Sequence, residues 1–239
     1  LFPEDTRQAL AQMLQDQDKI AEFEAENEVD FSYSVEGLGR FRVNAFLQRG
    51  SVSIVMRAIP VVIKSVDELG LPDAVTKLAE EERGIILLTG TTGSGKSTTL
   101  AAMIDHMNRT MQKHIVTIED PIEFLHRDIN SHINQREVGT DTATFAQALR
   151  RVLRQDPDVV QIGEIRDLDT LDTALKAADT GHLVFSTLHT TDATQTIQRV
   201  LSFYPPHQQA EVRFSLANAL QAVVSLRLVP RADKPGRVA

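Results

Sequence analysis

Two periods of hydrophobic spacing divide the chain. Near the start, Leu10, Met13, Leu14 and Ile20 recur at helical spacing among Gln and Asp. They predict one amphipathic helix over about residues 5–24. The acidic run from Glu22 to Asp30 reads as a solvated face. From Val29 the period becomes two. Val29, Phe31, Tyr33 and Val35 alternate with polar residues, as do Phe41, Val43 and Ala45, and then Val52, Ile54 and Met56. These predict three half-buried antiparallel strands with turns at Glu36-Gly37 and Arg49-Gly50. Arg40, Arg42 and Arg57 fall on the polar side of that alternation. Leu71-Pro72-Asp73 then opens a short helix to about Glu82.

After that, helix and strand patterns alternate. Gly84 to Thr89 is a short apolar run that reads as a buried strand, and Leu100, Met103, Ile104 and Met107 follow at helical spacing. A strand is expected at His114 to Ile118. A helix capped by Asp141 or Thr142 runs through Phe145, Ala148, Leu149, Val152 and Leu153. Val159 to Ile162 and Leu183 to Leu188 read as strands, and Asp169 to Ala178, Asp192 to Leu201 and His207 to about Ser225 as helices. Such alternation implies a parallel sheet covered on both faces, hence an α/β fold. The change of pattern lies between Ile59 and Asp73, and divides the chain into a smaller N-terminal domain, 1–64, and a larger one, 65–239.

Composition narrows the function. With 42% hydrophobic residues the chain can bury a real core, and its formal charge of −8 argues against a general nucleic-acid binder. There is no cysteine, which excludes a disulfide framework and a cysteine zinc site and fits a reducing compartment. No apolar run approaches the ~20 residues needed to cross a bilayer. The chain opens on Leu1 rather than Met and stops abruptly at Val238-Ala239, so it reads as a fragment of a longer protein.

Candidate chemistry begins at Gly90 to Ser97, GTTGSGKS, which fits G-x-x-x-x-G-K-[ST] between a strand and a helix. In such an exposed loop, backbone N–H groups converge on phosphate oxygens, and the helix N-terminus adds partial positive charge. Gly90, Thr92, Gly93, Ser94, Gly95, Lys96, Ser97 and Thr98 are therefore the candidate ATP-binding residues. Lys96 is expected to reach the β/γ-phosphates and Ser97 to help hold Mg²⁺. Two acidic stations follow strands: Glu119-Asp120-Pro121-Ile122-Glu123, and Gly163-Glu164. Gly163 occupies a place where an Asp is usual, which leaves Glu164 as the metal-side carboxylate and Glu123 as the candidate base for the attacking water. Acids at strand ends also cap the helices that follow, so each has a structural alternative. His189, between Thr187 and Thr190 at a strand end, is a candidate γ-phosphate sensor. His182 stays open between site and scaffold; His106, His114, His126 and His207 read as ordinary hydrogen-bonded residues. Arg42 and Arg57 offer planar donor forks suited to phosphate, with surface pairing to Asp30 or Glu36 as the alternative.

Four blocks carry a resemblance: GTTGSGKSTTLAAM, TIEDPIEF, DPDVVQIGEIRD and TGHLVFSTLHT, joined by Ile133 to Val138. In order and spacing they resemble the type II/IV secretion traffic ATPases, and among these most the type IV pilus retraction, or twitching-motility, group. The match runs from about Gly39 to Val229. It implies a homo-hexameric ring of subunits, each with a PAS-like α+β N-terminal domain and a RecA-like P-loop ATPase domain with a parallel sheet. Glu123 falls on the family's catalytic glutamate, Glu164 on its strand-end glutamate, and His189 on its motif histidine. Arg42 and Arg57 fall on the N-domain arginines that reach nucleotide. ATP and Mg²⁺ are the implied ligands, an inner-membrane pilus platform protein the implied partner, and the cytoplasmic face of that membrane the implied location, without insertion and without nucleic acid. Assembly members usually carry a four-cysteine zinc module, so its absence tilts the resemblance toward retraction. Pilus assembly, type II secretion and a low-turnover accessory retraction role are the alternatives. The family continues beyond Ala239 with a helical region.

Overall fold

In the computed structural model, residues 2–60, 62–232 and 235–238 are described. The chain ends remarked on above, Leu1 and Ala239, lie outside them. The chain forms two compact units, Leu1–Val61 and Val62–Ala239.

The first unit opens with two helices where periodicity predicts one: α1 (Pro3–Met13) and α2 (Gln17–Glu26). Local hydrogen bonding overrides the apolar stripe. Leu14 leaves helical geometry at φ −96°, ψ 94°, and the Asp16 carboxylate accepts the N–H groups of Asp18 and Lys19, starting a new helix. Strands β1 (Glu28–Val35), β2 (Gly39–Gln48) and β3 (Ser51–Ala58) pair antiparallel as expected. Positive φ at both Arg49 and Gly50 (52° and 77°) gives the β2–β3 hairpin the twist-matched two-residue turn. Leu10, Leu14, Val29, Ala45 and Val52 form the core under the two helices. Met56 departs from the expected alternation: it pairs opposite Val43 but is 43% exposed, at the rim of that face.

In the second unit, α3 (Asp73–Ala79) ends a turn short of Glu82. It is followed by β4 (Gly84–Thr89), α4 (Lys96–Thr110), β5 (His114–Glu119) and β6 (His132–Glu137). Next come α5 (Phe145–Val152), β7 (Val159–Ile162), α6 (Leu168–Asp179) and β8 (Leu183–Leu188). The unit ends with α7 (Ala193–Ser202), α8 (Gln209–Ala219), β9 (Leu220–Ser225) and the short pair β10 (Val229–Pro230) and β11 (Arg237–Val238). Six strands form an all-parallel sheet in the order β6-β5-β7-β8-β4-β9. Every residue of β4, β7 and β8 is buried, as a doubly covered parallel sheet requires. Ile85, Leu87, Val160, Ile162 and Val184 face α5 to α8, whereas Ile86, Leu88, Val159, Leu183 and Phe185 face α3 and α4.

Two sequence-based expectations fail here, and one strand is not expected from the sequence at all. Residues 220–225 are a strand, not the end of a helix. The β-branched Val223 and Val224 pair beside Leu87 and Leu88, and that edge of β4 supplies the hydrogen bonds. The helix over Phe145 to Val152 is capped by Thr144, whose hydroxyl accepts the Gln147 N–H at 3.1 Å, and not by Asp141 or Thr142. Asp141 instead accepts the Glu137 N–H at 2.7 Å. Strand β6 carries only one apolar side chain, Ile133, and so gives no periodic signal.

Replacing Asp16 with Ala removes the acceptor for the two N–H groups that open α2. The expected cost is ~1 kcal/mol, read as a lower urea midpoint for the N-terminal unit with the slope unchanged. An unchanged midpoint would mean that the break at Leu14 is set by packing and not by the cap.

Candidate functional site

Parallel pairing brings the carboxyl ends of β4, β5, β7 and β8 to one edge. From β4 the chain enters the glycine loop. Gly90 has φ 144°, and a Cβ there would lie 2.5 Å from both the Leu226 carbonyl and the Ser94 hydroxyl, so only glycine fits. Ser94 is buried with an unpartnered hydroxyl. Helix α4 begins at Lys96 with no side-chain cap and no acid in its first turn. An unpartnered buried hydroxyl and uncapped helical N–H groups, in a loop that excludes a side chain at Gly90, fit an anionic phosphate.

Thr91, Thr92 and Gly93 are exposed, but the loop is not exposed throughout, as the sequence reading had it. The Lys96 side chain is buried, and its Nζ donates to the carbonyls of Gly90 at 2.8 Å and Thr91 at 3.2 Å. Burial depresses the ammonium below the ordinary lysine value, while the charges of Glu123 and Glu164 pull the other way. That coupling places Lys96, Glu123 and Glu164 in one electrostatic cluster.

From β7 the chain passes Gly163 to Glu164. A Cβ on Gly163 would sit 3.3 Å from the Ile118 carbonyl and 3.4 Å from the Glu119 Cα, so the close approach of β5 accounts for glycine here. Gly163 is held on both sides: its N–H donates to Ile118 at 2.8 Å, and its carbonyl accepts the Thr187 hydroxyl at 2.8 Å. Glu164 receives His189 Nε2 at 3.2 Å on one oxygen and Arg166 on the other. Burial alone would raise the Glu164 carboxyl, but hydrogen bonds and charge from Arg166 and His189 outweigh it and hold it below the usual range. Arg166 also lies 3.6 Å from Asp120.

Glu123 is exposed, and its backbone N–H donates to the buried Glu119 carboxylate at 3.3 Å. Neither Glu123 nor Glu164 is an N-cap; the helices after them start at Thr144 and Asp167. His182 lies at the opposite, amino edge of β8 with Nδ1 3.0 Å from the Ala177 carbonyl, so it serves the scaffold. His114 contacts Asn134 and the Asp156 carbonyl, and burial lowers His126 to about 4. Arg42 and Arg57 belong to the N-terminal unit, where they are exposed and directly opposite each other across β2 and β3. Sequence reasoning missed Arg166, although it stands two residues after Glu164 in a quoted block. It also missed Gln135, which carries no signal of its own on β6.

Among the described residues, no helix is long and apolar enough to cross a membrane. The chain is 50% identical over 218 residues to the type IV pilus retraction ATPase PilT of Pseudomonas aeruginosa, covering 91% of this chain and 63% of that protein. It is 51% identical over 212 residues to a twitching motility protein of Neisseria gonorrhoeae, covering 89% of this chain and 57% of that one. The crystal structure of the pilus retraction motor PilT with bound ADP superposes with a TM-score of 0.95 at 50% identity, covering 100% of this chain and 69% of that one. The chain thus spans about three fifths of the length of these two curated relatives. Residues 12–238 match the profile of the family described as type II/IV secretion system protein, and the chain belongs to that family.

Proposed function

We propose that this chain is the core of a motor ATPase that hydrolyses ATP to power type IV pilus retraction. One observation carries the reading: the phosphate-suited loop after β4, the Glu123 segment after β5 and a His189-bound Glu164 after β7 all follow strands that end at one sheet edge. The similarity to proteins named for pilus retraction and twitching motility supports the choice of task. In this reading Gly90, Thr92, Gly93, Ser94, Gly95, Lys96, Ser97 and Thr98 bind the phosphates. Ser97 and Glu164 hold Mg²⁺, Glu164 directly or through water, and the ion supplies charge neutralisation on the phosphate oxygens. Glu123 polarises the attacking water and His189 reports the γ-phosphate to Glu164.

The subunits form a homo-hexamer at the cytoplasmic face of the inner membrane and act on a pilus platform protein. In this reading domain 1–64 is PAS-like, and its Arg42 and Arg57 act on nucleotide. Two guanidinium groups directly opposed on a strand pair repel each other, and a shared anion relieves that cost.

The ATPase reading is tested in the complete protein. Lys96→Ala should lose tight ATP binding by calorimetry, with melting temperature measured beside it because two carbonyls lose their donor. Glu123→Gln should bind ATP and hydrolyse it roughly 10²–10⁴-fold more slowly. Wild-type turnover in Glu123→Gln would remove Glu123 from the chemistry, and slow turnover in the unmutated protein would favour the accessory role.

Arg166 generates a pH prediction. A depressed carboxyl in the folded state contributes stability above its unfolded value of ~4.3 and loses it as pH falls through the depressed one. Without Arg166 the burial of Glu164 is left opposed by His189 and by the charge of Lys96. Arg166→Ala should therefore raise the Glu164 carboxyl and move the acid limb of the kcat profile to higher pH. An unmoved limb would show that His189 and Lys96 suffice to keep Glu164 ionised.

For the arginines, the Arg42→Ala, Arg57→Ala double variant should lose about 10³-fold in turnover with a milder loss of nucleotide affinity. Arg57→Lys should not rescue, since an ammonium cannot reproduce the fork. Unchanged rates in the double variant would leave both as surface cations.

A further inference from the structure

The segment that carries Glu123 is fixed by side chains that the reading above does not use. Thr117 and Glu119 on β5 stand opposite Gln135 and Glu137 on β6 in the parallel register. Alternation puts all four on one face of the strand pair. Such positions in a covered parallel sheet are ordinarily aliphatic. Here Thr117, Glu119 and Glu137 are buried, and a buried polar group is costly unless its hydrogen bonds are made.

Those bonds go to the loop after β5. Gln135 donates Nε2 to the Phe124 carbonyl at 2.8 Å and to Glu119 Oε1 at 3.1 Å, and its Oε1 accepts the His126 N–H at 2.8 Å. Glu137 Oε2 accepts the Ile122 N–H at 3.0 Å. Glu119 Oε2 accepts the Glu123 N–H at 3.3 Å, and its other oxygen accepts the Thr117 hydroxyl at 2.6 Å. The backbone is thus tied at 122, 123, 124 and 126. Further along, Asn108 on α4 donates to the Arg127 carbonyl at 2.7 Å and accepts the Ile129 N–H at 3.0 Å. Burial, helped by the charge of Glu123, outweighs the three donors and holds the Glu119 carboxyl above its ordinary range.

We propose that Gln135, with Glu119 and Glu137, forms a clamp on the 122–126 backbone that sets the place of the Glu123 carboxylate, and that Gln135 is a positioning residue for hydrolysis. This rests on Glu123 acting on the attacking water. Gln135 is the hub because it joins the Glu119 side chain to two backbone points of the loop. Glu123 itself is exposed, so its precision comes from the backbone beneath it. A displacement of about 1 Å in a reacting group can cost on the order of 10²-fold in rate.

The experiment is a cycle of Gln135→Met, Glu123→Gln and the double variant in the complete protein. It reads single-turnover ATP hydrolysis and ATP affinity. Gln135→Met keeps the side chain's size and removes its donor and acceptor. It should lower the hydrolysis rate by about 10–10²-fold, leave ATP affinity unchanged, and add no further loss in the Glu123→Gln background. Hydrogen exchange at Ile122 and Glu123 should quicken.

An equal fractional loss on top of Glu123→Gln, a parallel loss of affinity, or an unchanged rate with Glu123 otherwise essential would each overturn the clamp. Wild-type turnover in Glu123→Gln alone would overturn the underlying assignment instead, so the two failures are distinct. Should Gln135→Met not fold, Gln135→Asn, which retracts the amide by one methylene, carries the same comparison. Glu137→Gln keeps an acceptor for the Ile122 N–H and should retain most of the rate; a loss equal to that of Gln135→Met would point to the charge of Glu137 and overturn the hydrogen-bond account.

Discussion

The parallel pairing of β5, β7, β8 and β4 is the constraint on which the site depends. Parallel strands all end at one edge, so any residue placed just after a strand arrives there whatever its distance in sequence. Glu164 and His189 are far apart in the chain yet 3.2 Å apart in space, because β7 and β8 are neighbours in register. The pairing in turn rests on burial from both sides. Each fully buried Leu, Ile or Phe contributes roughly 1.5–3 kcal/mol, and the central strands carry them on alternate faces. A one-residue slip of β8 against β7 would separate the pair and turn Phe185 away from the α4 layer.

On that edge the charges balance locally. Lys96 is drawn by two backbone carbonyls and by two carboxylates, and burial opposes all of them. Glu164 is buried more than a carboxylate tolerates alone, and Arg166 and His189 compensate. Each group is therefore held by partners that a phosphate would compete with: the Lys96 ammonium could exchange its carbonyls for phosphate oxygens, and His189 could exchange Glu164. A site of that kind is preorganised yet able to respond to what binds.

Much of this was legible in the sequence, and the reason lies in what each residue depends on. The strands β4, β7 and β8 are buried on both faces, so their residues must be apolar, and a run such as Gly84 to Thr89 announces itself. The glycine loop is legible because backbone geometry dictates its glycines. What escaped depends on tertiary partners. The strand β9 exists because β4 offers an open edge, and Val223 and Val224 could equally continue a helix on paper. The α1–α2 break was hidden because Asp16 competes locally with a stripe that stays helical in period. Gln135 and Glu137 escaped because their roles are set by a loop on a different strand.

Gly163 shows how those levels meet. By motif it is an irregularity, a missing acid at a strand end. In the structure the neighbouring strand crowds it: an added Cβ would lie 3.3 Å from the Ile118 carbonyl and 3.4 Å from the Glu119 Cα. Crowding there follows from β5 running beside β7 up to Ile162 while its own end turns into the loop that carries Glu123. At that end of β5, Glu119 accepts the Glu123 N–H. A side chain at 163 would need those β5 neighbours to give by a few tenths of an ångström, whereas Glu164, one residue later, meets Arg166 and His189. Glycine at 163 keeps that backbone contact free of crowding, and the acids at the two strand ends stand beyond it.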